Sequence, residues 1–212
     1  MTTAVAQFEG AMTQLPLVAI LRGLTPDAAA PIGSALVDEG WLLIEVPLNS
    51  PRPERSIEVL ATRSPSALVG AGTVLTAAQV RSVHAAGARW VVSPHFDAGV
   101  VAQALALGMV CVPGVATPTE AFAAVAAGAH ALKLFPAEMI TPSVVAALRA
   151  VLDPRTVVLP VGGITAQNMA AYRRAGANGA GLGSALYRPG MDAATLAPRA
   201  RALATAWRAA AP

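Results

Sequence analysis

Eight short apolar runs alternate with alanine-rich segments along this chain, and that rhythm restricts the fold more than any other feature. The runs are PLVAILR (16–22), WLLIEVPL (41–48), ALVGAGT (67–73), RWVVSP (89–94), MVCVPG (109–114), ALKLF (131–135), TVVLPVG (156–162) and NGAGLG (178–183). Continuous apolar runs of this length mark strands buried on both faces, and their spacing is that of repeated βα units. Helix start signals stand between them. Thr25-Pro26, Thr117-Pro118 and Thr141-Pro142 each pair a cap residue with a proline at the first helical position. Thr76 with Gln79, and Thr117 with Glu120, have capping-box spacing. Gly40, Gly87, Gly108, Gly128 and Gly176 fall where helices should stop.

Eight strands, each followed by a helix, predict an α/β fold of the (β/α)8 TIM-barrel type. The rival, an open doubly wound sheet, uses fewer strands and usually a GxGxxG near its start, which is absent. Residues 1–14 are expected as an extra N-terminal helix over the barrel floor, 15–190 as the barrel core and 191–212 as a C-terminal helix. No Ser/Gly linker, charge block or shift in composition divides the chain, so one domain is expected. The eighth run is the weak point, since glycine disfavours strands.

Composition narrows the partners. With 55% apolar and 13% charged residues over 212 positions, the chain can bury a large core and an ordered fold is expected. No apolar run reaches a membrane span without a charge or a Gly/Pro break, and the N-terminus has no basic lead and carries Glu9, which points to the cytoplasm. The single cysteine, Cys111, excludes an internal disulfide and reads as a packed thiol. The net charge is +3, yet the arginines are scattered and no aromatic residues interleave them. Small anionic molecules rather than nucleic acid are the expected partners.

In such a barrel the chemistry sits at the C-terminal ends of the strands. Polar residues at those ends are Arg22, Glu45 with Asn49 beyond it, Thr73, Ser93, Lys133, and the glycine loops at 162–163 and 181–184. Lys133 is the only lysine in a chain with fourteen arginines, and it lies inside an apolar run. Burial favours loss of its proton, and a neutral buried amine can form a Schiff base with a carbonyl. Neutrality near pH 7 requires a fall of about three pKa units, roughly 4 kcal/mol of environmental effect. The alternative is a snorkelling lysine, or one that balances a buried acid. Glu45, inside LLIEVPL, is either an acid–base group with a raised pKa or the partner in a buried ion pair. VGGIT (161–165) and GLGSALY (181–187) follow the seventh and eighth runs, where such barrels commonly seat phosphate on backbone N–H groups. Their alternative reading is two tight turns without a ligand. His84, His95 and His130 have no metal-ligand spacing, so no metal is expected, and only His95 falls near a strand end.

The ordered set LPLVAILRGLTPDAA, EVPLNSP, VGAGTVLT, SPHF, ALKLFPAE, VGGIT and GLGSALY resembles the KDPG/KHG aldolase family, from about Leu15 to Gly190. It is most similar to the branch acting on 2-dehydro-3-deoxy-6-phosphogalactonate. The resemblance implies a class I aldolase that needs no metal or cofactor and forms a homotrimer. It implies cleavage of 2-dehydro-3-deoxy-6-phospho-D-galactonate, a phosphorylated keto acid, to pyruvate and D-glyceraldehyde 3-phosphate. By the same resemblance Lys133 forms the Schiff base and Glu45 moves protons. Arg22 and Thr73 would contact the substrate, and Gly162, Gly163, Gly183 and Ser184 would hold the phosphate. The alternatives are activity on the gluconate epimer or on 4-hydroxy-2-oxoglutarate, or a non-catalytic phospho-sugar-binding barrel.

Two departures from the gluconate branch bear on this choice. EVPLNS replaces the EVTLRT usual there, so Asn49 stands in place of an arginine and Arg22 is left to meet the substrate carboxylate. Val161 replaces the threonine of TGG, so no hydroxyl is available to hydrogen-bond one configuration at C4. Valine therefore fits the galactonate type.

Overall fold

The computed structural model describes residues 3–210. The elements run α1 (Thr3–Gln14), β1 (Leu17–Ile20), α2 (Pro26–Asp38), β2 (Leu43–Pro47), α3 (Pro53–Arg63), β3 (Leu68–Gly72), α4 (Ala77–Ala85), β4 (Trp90–Val92), α5 (Ala98–Ala106), β5 (Val110–Val112), β6 (Gly114–Val115), α6 (Pro118–Ala126), β7 (Ala131–Leu134), α7 (Pro142–Arg149), β8 (Val157–Pro160), α8 (Met169–Arg174), β9 (Ala180–Leu182) and α9 (Ala193–Ala209). The helices expected over 1–14 and 191–212 also cover residues 1, 2, 211 and 212, which lie outside the described residues.

Every one of the eight apolar runs contains strand. The fifth is split into β5 and β6 because Pro113, between them, has no N–H to donate to a ladder. β5 pairs with β4, and β6 with β7. Parallel pairing orders one stretch β5-β4-β3-β2-β1-β9 and the other β6-β7-β8. A bridge between Val161 and Gly181 joins β8 to β9, so the ring closes with eight strand positions. This is the (β/α)8 barrel that the rhythm predicts. The glycine-rich eighth run is a strand after all, and crowding explains its composition. A β-carbon at Gly179 would collide with the Pro16 carbonyl, and one at Gly181 would lie 2.7 Å from Val161 Cγ2.

Strand alternation divides the core in two. Residues such as Val18, Ile20, Leu43, Val92, Val112 and Leu159 fill the barrel, while Leu17, Ala19, Ile44 and Leu132 pack outward under the helices. Trp90 is fully buried at the barrel centre, and its indole N–H donates to the carbonyls of Ile44 and Leu68 at 3.2 and 3.0 Å. Gly70, on the adjacent strand, leaves the room this ring takes. Helix α1 closes the floor as expected. Its Ala4, Phe8 and Ala11 are buried in the interior cluster, and the Phe8 ring sits 6.4 Å from that of Trp90.

The helix ends follow the sequence signals with local differences. Thr117 and Glu120 form a complete capping box. Thr76 accepts from the Gln79 N–H, but the Gln79 side chain bonds Leu75 N instead of the cap residue. Thr25 and Thr141 occupy cap positions without a side-chain cap bond, leaving the prolines to start α2 and α7. The five helix-stop glycines all have positive φ, between 67° and 98°. Among the described residues no helix is long and apolar enough to cross a membrane.

If α1 is the floor of the core, Phe8→Ala should destabilise the fold by about 3–5 kcal/mol, the usual cost of deleting a buried phenyl ring. Urea denaturation checks this, and a change under about 1 kcal/mol would mean that α1 is only loosely applied.

Candidate active site

The C-terminal ends of the strands surround a cleft of about 490 Å³. Arg22, Glu45, Thr73, Lys133, Val161, Gly162, Gly163, Gly183 and Ser184 all line it. The fold thus gathers in one place nine of the residues that the sequence nominates. Three further candidates fall outside the lining. Asn49 and His95 are exposed, and Ser93 is buried, its Oγ without a hydrogen-bond partner among the described residues. Ser93 follows Trp90 and Val92 at odd spacing, so its side chain belongs to the outer face of the barrel.

Glu45 is the third residue of β2, in register with Ile20 and Gly70. Lys133 is the third residue of β7, in register with Gly114 and Leu159. Their strands occupy the second and sixth of eight positions, so the two side chains face each other across the barrel. Both are buried, at 2% and 6% exposure. Even so, no ion pair shorter than 4 Å joins Glu45 to Lys133 or Arg22 among the described residues. Among the described residues Glu45 Oε2 has no hydrogen-bond partner. Gly72 makes its berth: a β-carbon there would lie 2.6 Å from Glu45 Oε1. Below the pair the barrel is filled with the apolar side chains of Val18, Val92, Val112 and Leu159, which offer no solvation.

These surroundings set the protonation states. Burial pushes the Glu45 carboxyl up to about 7, against the opposing pull of the Lys133 and Arg22 charges. Burial also pushes the Lys133 amine below its ordinary value. Glu45 opposes that shift and Arg22 reinforces it. The amine lies 4.5 Å from the centroid of the Phe135 ring, whose face favours the charged form and moderates the shift. Both shifts favour the neutral forms, an amine opposite a carboxylic acid. That state has one nucleophile and one proton donor on opposite walls of the same gap.

Around the pair stand groups suited to an anionic ligand. Arg22 follows β1 and is exposed in the cleft. Its guanidinium has no hydrogen-bond or ion-pair partner among the described residues. Thr73, after β3, has φ of +57°, an uncommon conformation for a threonine and one often found at functional sites. Gly162 and Gly163 follow β8 with φ of +108° and +62°. Asn168 pins their turn by accepting from Thr165 N and donating to Gly163 O, each at 2.8 Å. Gly183 and Ser184 follow β9. Arg199 donates to the Ser184 and Ala185 carbonyls, and Arg188 to that of Ser184.

Phe135 and Glu138 also line the cleft and were not singled out from the sequence. Both belong to the same ALKLFPAE stretch as Lys133. Phe135 has the same strand parity as Lys133, a signal that would have found it. The Glu138 carboxyl lies over Gly162 and Gly163, where a β-carbon on Gly163 would be 3.1 Å from Oε1. Nothing local announces that placement. His84 and His130 are half-buried away from the cleft, and His130 Nδ1 accepts from Cys111 N at 3.2 Å. Cys111 is a packed thiol, pushed up to about 12 by burial.

Residues 8–196 match a family model described as KDPG and KHG aldolase. A protein of Rhizobium meliloti (strain 1021), named a probable 2-dehydro-3-deoxy-6-phosphogalactonate aldolase, is 50% identical over 191 residues, covering 90% of this chain and 89% of its own. The 2-dehydro-3-deoxy-6-phosphogalactonate aldolase of Escherichia coli (strain K12) is 45% identical over 197 residues, covering 92% and 96%. A solved structure described as native KDPGal superposes with a TM-score of 0.90 at 45% identity, covering 93% of this chain and 96% of that one.

The raised pKa of Glu45 has a measurable consequence. In the unfolded chain the carboxyl titrates near 4.5, and in the fold at about 7. Between those values the fold retains a proton that the unfolded chain has released. Stability from this group therefore falls as pH rises through the window, and the full penalty stands above it. Glu45→Gln, which does not titrate, should gain on the parent by on the order of 3 kcal/mol from about pH 4.5 to about pH 8. Denaturant midpoints of the two proteins across that range test this; a constant difference would mean the carboxyl is not perturbed.

Proposed function

The chain belongs to the KDPG and KHG aldolase family, and from that premise we propose that it cleaves 2-dehydro-3-deoxy-6-phospho-D-galactonate to pyruvate and D-glyceraldehyde 3-phosphate as a class I aldolase. The observation that carries this reading is the opposition of Lys133 and Glu45, both buried and not paired to each other, in a cleft that ends in two glycine loops. A buried ion pair would consume both groups. A gap between them leaves room for the reacting carbons.

In this mechanism the Lys133 amine attacks the C2 carbonyl, and loss of water gives an iminium. The bond between C3 and C4 then breaks. Its electron pair moves into the iminium to form an enamine, and the C4 hydroxyl gives its proton to the Glu45 carboxylate. D-Glyceraldehyde 3-phosphate leaves. The same acid returns a proton to C3, and hydrolysis of the resulting iminium frees pyruvate and regenerates the amine. Arg22, at the mouth and without a partner among the described residues, is suited to the substrate carboxylate. The turns at Gly162-Gly163 and Gly183-Ser184, after the last two strand positions, are suited to the phosphate. Thr73, after β3, lines the same rim.

Val161 supports the galactonate epimer. It lies at 9% exposure on the cleft wall, beside Gly181 and Ile20, and offers only methyl groups where a threonine would offer a hydroxyl. The homotrimer belongs to the same proposal. Exposed apolar side chains, including Phe122 on α6 and Met139 before α7, are surface available for subunit contacts. A cytoplasmic location suits a phosphorylated substrate, whose charge prevents it from crossing membranes.

Borohydride reduction in the presence of pyruvate should add one pyruvyl group at Lys133, read by mass spectrometry of the digested protein. Lys133→Met should lose both the adduct and turnover. An adduct at another position, or none, would end the imine mechanism. Val161→Thr should move the ratio of kcat/KM values toward the gluconate epimer by about 2- to 10-fold, the worth of one buried hydrogen bond. A parent enzyme that already prefers the gluconate epimer would refute the role given to Val161.

A further inference from the structure

Arg22 presents a puzzle of placement. Its guanidinium projects into the cleft, yet no side chain holds it among the described residues. A long, rotamer-rich side chain with no partner of its own takes its position from its backbone alone. That backbone is anchored on both sides of Arg22, and both anchors belong to β2 and the turn that follows it. On one side Leu21 N donates to Glu45 O at 3.0 Å, which extends the β1–β2 ladder. On the other side Gly23 N donates to Ser50 Oγ at 2.9 Å, across 27 residues of sequence.

The second anchor is the unusual one. A ladder bond is part of any barrel, but a side-chain bond to Gly23 N depends on one residue. Ser50 is buried at 8% exposure, and its own N–H donates to Pro47 O at 2.9 Å, so the hydroxyl sits on a fixed turn three residues past the end of the strand that carries Glu45. Gly23 has φ of +83° and is closed in from the other side by Pro189, whose Cγ would lie 2.6 Å from a β-carbon at that position. Pro189 lines the cleft next to the second glycine loop. The Arg22 turn is therefore held between the Ser50 hydroxyl and Pro189, and only the former is a directional bond.

We propose that Ser50 is a positioning residue: by accepting the Gly23 N–H it fixes the Arg22 turn relative to Glu45, and so sets where the substrate carboxylate is held over the Lys133 amine. The inference rests on the reading of Arg22 as the partner of the substrate carboxylate. It places the discriminating residue of the EVPLNSP stretch at Ser50 rather than at the exposed Asn49 beside it. A carboxylate held off line moves the adjacent C2 carbonyl away from the amine, so loss of Ser50 is felt in capture of the keto acid.

The test compares Ser50→Ala, Ser50→Thr and Arg22→Met. Each is assayed for the pyruvate concentration that half-saturates borohydride trapping at Lys133, for turnover at saturating substrate, and for inhibition by inorganic phosphate, which probes the glycine loops. Ser50→Ala should raise the half-saturating pyruvate concentration by about 2- to 10-fold, the scale of one buried hydrogen bond. Turnover at saturation should change less, and phosphate inhibition should not change. Ser50→Thr, which keeps the hydroxyl, should recover most of the loss. Arg22→Met should raise the pyruvate requirement at least as far as Ser50→Ala. If Arg22→Met has the effect and Ser50→Ala does not, the positioning role is wrong and the carboxylate reading stands. If Arg22→Met has no effect, the carboxylate reading itself falls. Equal weakening of pyruvate and phosphate by Ser50→Ala would reveal general loosening of the rim and overturn the proposal.

Discussion

Two groups of opposite charge preference are buried on facing walls of this barrel and kept from pairing. That separation is the constraint on which the rest of the site depends. Placed in contact, Lys133 and Glu45 would stabilise each other's charged forms, and neither would be available for chemistry. Kept apart in apolar surroundings, each is driven toward its neutral form, with Glu45 pushed up to about 7 and Lys133 down from its ordinary range. The barrel achieves this by geometry. Strand positions two and six are opposite in an eight-position ring, and Gly72 leaves a berth that holds the carboxyl against its own wall.

The apolar interior maintains the same condition. The amine and the carboxyl stand above side chains that contribute no hydrogen bonds, and Trp90 closes the barrel centre with its single donor already committed. Helix α1 covers the opposite end with Phe8. Among the described residues apolar side chains thus cover the floor, and the cleft lies at the mouth, the route that a substrate would also take. Packing of the floor and protonation at the mouth are thus linked, because a leak at either end would supply the solvation that the two groups lack.

The fold was legible because a parallel barrel writes itself locally. Every strand is a short apolar run, and each of the helices α2 to α8 has a proline start or a glycine stop whose positive φ the backbone adopts. Lys133 was legible as the only lysine, and Glu45 as an acid in an apolar run. What the sequence hides is adjacency between distant segments. Gly72 is required by Glu45, the glycines of β9 by Pro16 and Val161, and Ser50 by Gly23, and no local pattern announces any of these. Ser93 could have been set aside by parity with Trp90 and Val92. Asn49 drew notice as a departure from a related motif, while Ser50, one residue on, makes the bond that matters to the neighbouring turn.

Arg22 gives the site a further property when its own charge is considered. Its guanidinium lowers the pKa of both Glu45 and Lys133. For the amine this assists neutrality, and so favours attack on a carbonyl. For the carboxyl it opposes burial and favours the ionised form. A substrate carboxylate bound to Arg22 would neutralise that influence. Once the amine has become an iminium, a positive charge close to Glu45 takes its place, and the carboxylate needed to accept the C4 hydroxyl proton is favoured again. After carbon–carbon cleavage the enamine is neutral, that support is withdrawn, and burial returns Glu45 to the protonated form that can deliver a proton to C3. The order of proton transfers in the proposed reaction thus follows from which charges the pair faces at each stage, with the same two side chains throughout.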